Sequence, residues 1–176
     1  GSFGVDLQRA DIYLIKLDGD GNIEWNKTYG NVDAYDDAYN ISLSSDNHLL
    51  LTGRYIVGGT FYCFFMKADL NGNPVIFKGF GQLNHRTYAF DVQETPDGDY
   101  LISGYTTIAK VDFMSNGDAF LLKLAPDGEL LWANIFEPTE EDRNDFGFSI
   151  VFEDDGDYGL ALESSSFQAI GGPQAP

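Results

Sequence analysis

Three stretches of this chain carry the same apolar run broken by one lysine. They are Tyr13–Leu17, Phe64–Ala68 and Phe120–Leu124, with Lys16, Lys67 and Lys123 at the break. Consecutive rather than alternating apolar positions predict strands covered on both faces. Each run enters a turn ending in Gly21, Gly72 or Gly128, then a second strand with Trp25, Ile76 or Trp132 at one shared position. A different hairpin follows in each copy. Its first strand opens on Tyr39, Phe90 or Phe148, and its turn is Asp46-Asn47, Asp97-Gly98 or Asp155-Gly156. Asp-Gly and Asp-Asn dipeptides tolerate positive φ and join antiparallel strands. No helical periodicity of any length is visible, and 20 glycines punctuate the chain too often for one.

The lysines lie 51 and 56 residues apart, so the chain holds three copies of a unit of about fifty residues. Two hairpins per unit make four strands. Four short antiparallel strands per fifty-residue repeat describe one blade of a β-propeller. The expected fold is therefore all-β, with three four-stranded blades at about 1–53, 54–104 and 105–162. Residues 168–176 form a linker-like tail after a repeat region of 1–167. Trp25, Ile76 and Trp132 are expected to pack between adjacent sheets.

The residues Asp18, Gly21 and Trp25, with Tyr29-Gly30, Asp36-Asp37, Asp97-Gly98-Asp99-Tyr100 and Gly104, carry a resemblance. The unit resembles the bacterial and archaeal surface β-propeller repeats of the type D-x-Y-L-I-K-x-D-x-x-G-x-x-x-W. It is more distantly similar to quinoprotein-type propeller repeats. The departures are Ile76 for Trp, Glu137 for the Gly at position 30, and Leu162 for the closing Gly. The resemblance implies an extracellular or cell-surface location and structural repeats, and it carries over no catalytic residue.

Three blades do not close a ring, since propellers have about four to eight. Two arrangements answer this: further blades from the same polypeptide, or a second copy of the chain making a six-bladed ring with twofold symmetry.

Charge narrows the partners. The net charge is −18, which argues against nucleic acid and anionic membrane surfaces. No apolar run approaches the ~20 residues of a membrane span. The one cysteine, Cys63, lies among phenylalanines and is expected in the core.

Candidate chemistry is sparse. Asp18, Asp20 and Asn22 place oxygens at alternate positions, as calcium loops do, although the same residues make ordinary hairpin turns. No other cofactor is suggested. Acidic clusters lie between the hairpins, at Asp33, Asp36 and Asp37 and again at Glu140, Glu141, Asp142 and Asp145. They offer either a cation- or partner-binding face or a solvated rim; Asp36 and Asp145 alternatively cap backbone amides. The longest variable loop, from Tyr105 to Gly117, carries Val111, Phe113 and Met114, a candidate partner contact. His48 and His85, one in a turn and one in a loop, make neither a metal site nor a base–nucleophile pair. The expected function is a non-enzymatic surface module, a scaffold or a platform for a protein or glycan. The alternatives are a segment of a propeller enzyme, quinoprotein-like or glycan-active, and a calcium-dependent adhesin.

Overall fold

The computed structural model describes residues 11–30, 34–108, 117–136, 145–152 and 157–164. Its twelve strands are β1 (Ile12–Leu17), β2 (Ile23–Tyr29), β3 (Asp37–Leu43), β4 (Leu49–Val57), β5 (Thr60–Ala68), β6 (Pro74–Phe80), β7 (His85–Glu94), β8 (Tyr100–Ile108), β9 (Gly117–Leu124), β10 (Leu130–Phe136), β11 (Asp145–Phe152) and β12 (Tyr158–Ser164). No helix occurs among the described residues. The fold is all-β, as its turns and apolar runs predict.

The strands pair in sequence. β3 to β6 form one antiparallel meander, hereafter sheet I, and β7 to β10 form sheet II. A single parallel bridge between Phe61 and Arg86 joins the two. β1–β2 and β11–β12 are two-stranded pairs at either end, and none of the sheets closes on itself. The sheet unit is out of phase with the sequence unit by two strands. The repeat boundaries at 53/54 and 104/105 fall inside β4 and β8.

Five hairpin turns share one geometry. In each, two backbone hydrogen bonds close a five-residue loop: Asp18–Asn22, Ser44–His48, Asp69–Asn73, Thr95–Asp99 and Ala125–Glu129. The fourth residue is left-handed in all five, with φ from 60° to 87°. Four of these are glycine, which has no Cβ to clash there, and the fifth is Asn47, the residue type that best tolerates that conformation.

β5 and β9 are mostly apolar because each has strands on both sides and sheets against its faces. Phe64, Phe65 and Met66 are fully buried, as are Ala119 and Leu124. Side chains of this size each stabilise by about 1.5–3 kcal/mol when buried. The core forms three layers between successive sheets. Ile12, Leu14, Leu51 and Phe64 lie between β1–β2 and sheet I. Leu50, Phe65, Val92 and Tyr100 lie between sheets I and II. Leu101, Leu121 and Ile150 lie between sheet II and β11–β12.

The shared position of Trp25 and Ile76 does pack between sheets. A Cβ on Gly72 would lie 3.0 Å from the Trp25 ring, and one on Gly128 would lie 2.8 Å from Ile76. Each sheet thus rests its last strand on the turn of the next. Smaller side chain or not, Ile76 keeps the contact.

Candidate ligand-binding cleft

Aromatic rings pack together on the face of sheet I toward β1–β2. Tyr55 on β4 and Phe77 on β6 meet edge-on at 5.6 Å, and Phe77 stacks on Phe64 at 5.6 Å. Tyr62 lies beside Tyr55 at 5.4 Å. Gly79 makes room, since a Cβ there would sit 1.9 Å from the Tyr55 hydroxyl. Burial raises the pKa of that hydroxyl.

Sheet II repeats the backbone but not these rings. The register places Thr106 where Tyr55 stands, Asp118 where Tyr62 stands and Ala133 where Phe77 stands. With three rings missing, the space between sheets I and II opens into a cleft of about 470 Å³. Phe80, Phe120, Leu122, Leu130 and Ile135 form its apolar walls. Gln82, His85, Thr87, Thr106 and Asp118 supply its polar groups. The Thr87 and Thr106 hydroxyls lie 3.1 Å apart. Gly81, with φ of 153°, turns the chain at the mouth; a Cβ there would lie 3.0 Å from the Tyr62 ring and 3.3 Å from the Thr87 hydroxyl. Apolar walls with a few convergent polar groups suit a small organic ligand. Hydroxyl, amide, imidazole and carboxylate together both donate and accept hydrogen bonds.

A second feature lies on the first strand of each sheet. Pairing slips by one residue between Ala38 and Asn40, between Ala89 and Asp91, and between Gly147 and Ser149. The residues passed over are Tyr39, Phe90 and Phe148. Such bulges re-aim a side chain. Here they set three rings in a row, with centroids 5.4 and 5.5 Å apart. Tyr39 and Phe148 remain 42% and 44% exposed. Tyr105 stacks against Phe90 and Tyr88 behind them. The Arg54 guanidinium lies 5.3 Å from the Tyr88 ring centre and 2.6 Å from Asp37. Burial pushes the Tyr39 hydroxyl up to about 12.

The residues singled out from the sequence are not gathered into one site. Asp18 spends its carboxylate on its own turn: Oδ1 accepts from the Asp20 and Asn22 amides at 2.9 and 2.8 Å. Asp69 does the same with Asn71 and Asn73. Among the described residues no group of three or more His, Cys, Asp or Glu is placed to hold a metal ion. Two residues of the first acidic cluster, Asp36 and Asp37, are engaged within the fold. Asp36 is 2% exposed and accepts the Ile56 amide, as a capping residue does, and Asp37 is paired with Arg54. Val111, Phe113, Met114, Glu140, Glu141 and Asp142 lie outside the described residues, as does Asp33. Cys63 is buried in the core as expected. His85, read from the sequence as a loop residue, begins β7 at the cleft. The cleft was missed, although its signal is present in the sequence: three aromatics of one repeat become small or polar in the next.

No protein-family model matches the chain, and no curated protein matches it. Among solved structures it is similar to a protein of unknown function from Bacteroides caccae, with a TM-score of 0.51 and 12% identity. The match covers 84% of this chain and 49% of that one, so the chain spans about half the length of that protein. The likeness is one of fold alone.

Proposed function

We propose that the chain is a run of β-propeller blades that acts as a non-enzymatic binding module at or outside the cell surface. Its ligand is a saccharide unit held in the cleft between sheets I and II. Two four-stranded meanders, each resting on the turn of the next unit, support the propeller reading. The observation that carries the binding role is the broken repeat: Thr106, Asp118 and Ala133 replace three rings at one inter-sheet space and leave 470 Å³ there. A structural repeat has no packing reason to open one layer that its neighbour fills. A sugar ring presents apolar C–H faces and hydroxyl edges, which matches walls of Phe and Leu beside threonine hydroxyls, an amide and a carboxylate.

The test is to restore the repeat. Calorimetric titration with a panel of mono- to tetrasaccharides should detect binding by the wild-type chain. The triple variant Thr106→Tyr/Ala133→Phe/Ile135→Gly, which copies Tyr55, Phe77 and Gly79 of sheet I, should lose that binding with unchanged circular dichroism. Binding that survives the refilling would move the site elsewhere. Failure of every saccharide on the unmodified chain would remove the ligand class.

A further inference from the structure

The two end pairs are complementary halves of one sheet. β1 is the counterpart of β5 and β9, and β12 is the counterpart of β4 and β8. In sheets I and II those counterparts are hydrogen-bonded to each other along their length. Among the described residues the end pairs leave them as edges: β1 pairs with β2 and β12 with β11.

Three observations on β1–β2 point to the same occupant. The first is the lysine. Lys67 is held by Asp46 of its own sheet, and Lys123 by Asp97 and Asp99 of its sheet, with side chains 10% and 21% exposed. Lys16 is 46% exposed and, among the described residues, pairs with Glu24 of the adjoining strand. The counterpart of Asp99 is Asp157, the residue before β12. The second is the turn glycine. Gly72 and Gly128 each carry a side chain of the preceding sheet against them, whereas a Cβ on Gly21 would meet nothing within 4 Å. The side chain that belongs there by position is Trp132. The third is the apolar face. Tyr13 and Ile15 are 56% and 42% exposed, whereas their counterparts Phe64 and Met66 are fully buried.

We propose that two copies of this chain complete each other. β12 of each copy pairs antiparallel with β1 of the other, with Gly159 opposite Lys16 and Leu162 opposite Tyr13. This register copies Leu50 opposite Lys67 with Gly53 opposite Phe64, and Leu101 opposite Lys123 with Gly104 opposite Phe120. Each junction becomes a four-stranded sheet with Trp132 seated on the partner's Gly21 turn. Two whole sheets and two halves give three units per chain. Rings of this kind hold about four to eight blades, and six is the one multiple of three in that range. Two copies therefore close the ring and leave no half-sheet at either end.

This inference rests on the propeller reading but not on the cleft, and its test separates the two. Light scattering of the 176-residue chain should give twice the 19.5 kDa chain mass. The edge variant Ile15→Asp should weaken association more than about tenfold, with unchanged circular dichroism. The pair Tyr13→Cys/Leu162→Cys should form a covalent dimer on mild oxidation, and the register-shifted pair Tyr13→Cys/Ala161→Cys should not. A monomer at all concentrations overturns the proposal. So does a dimer that is indifferent to Ile15→Asp, or one that cross-links equally in both registers. Saccharide binding retained by a monomeric Ile15→Asp chain would leave the cleft standing whichever way the mass falls.

Discussion

The ammonium of Lys67 lies 2.7 Å from a carboxylate oxygen of Asp46 and joins two sheets, because its other partner, the Tyr100 hydroxyl at 2.9 Å, stands on sheet II. Tyr100 is 1% exposed, so a lost donor there leaves a buried hydroxyl unsatisfied. Lys67→Met keeps the stem and removes the charge. It should cost about 1–3 kcal/mol in denaturant unfolding.

The same pair shapes the response to pH. Hydrogen bonds from Lys67 and then Ser44 hold the Asp46 carboxyl below its ordinary range. The pair therefore contributes in full above the unfolded carboxyl pKa of about 3.9 and loses its contribution as pH falls through the lower folded value. Asp46 is half exposed, so the effect should stay below about 1 kcal/mol. Asp46→Asn should flatten the acid limb of the stability curve. For Lys67, burial pulls the pKa down, but Asp46 and Tyr100 outweigh it and the net shift is upward. That contribution is lost only as pH rises through the raised value, above about 10.4.

Gly53 and Gly104 tolerate no side chain. A Cβ on either would lie 1.9 Å from a backbone oxygen, of Asp37 and Tyr88 respectively, at the bulge across the ladder. Gly53→Ala and Gly104→Ala should each destabilise by about 2–4 kcal/mol. Gly19→Ala meets nothing within 4 Å and should stay within about 0.5 kcal/mol. Equal melting temperatures for Gly19→Ala and Gly53→Ala would contradict this account of the bulges.

Cys63 should behave as an inert core atom. Burial pushes its thiol up to about 12, and its sulfur faces the Phe80 carbonyl at 3.5 Å. Thiol reagents near pH 8 should label it only as fast as the chain unfolds, and at once in denaturant. Rapid labelling of the folded chain would show that β5 opens locally.

The Asp18 turn offers a direct test of calcium. Its carboxylate is held below the ordinary range by the Asn22 side chain first and by the Asn22 amide next. Those bonds already satisfy the turn, so neither calcium nor a chelator should shift the melting temperature, whereas Asp18→Ala should lower it. A rise on adding calcium, abolished in Asp18→Ala, would establish a metal site there.

The strands and hairpins were legible in the sequence because their signals are local. Turn glycines, Asn47 and the lysine in an apolar run each answer to a few neighbouring atoms. The phase of the sheets was not legible, since a period has no preferred starting point; only the pairing shows that β4 and β8 run through the repeat boundaries. The bulges were equally hidden. One extra residue leaves no mark on an apolar pattern, and Tyr39, Phe90 and Phe148 read as ordinary strand residues until their partners are known. The cleft escaped for the opposite reason. Attention to recurring residues finds what every unit needs and passes over Thr106, Asp118 and Ala133, where one unit differs.

Among the described residues, the contacts between sheets run from each unit to the next. Trp25 rests on the Gly72 turn, Lys27 reaches Asn73, Ile76 rests on Gly128 and Asp91 accepts the Ile150 amide. Such a stack has no single keystone, and its opening is graded rather than all-or-none. In an isolated chain, amide exchange should begin at β1 and β12, spread through their partners, and reach β5 and β9 last. The molecule would then melt like a row of leaning books, from the two outermost covers inward.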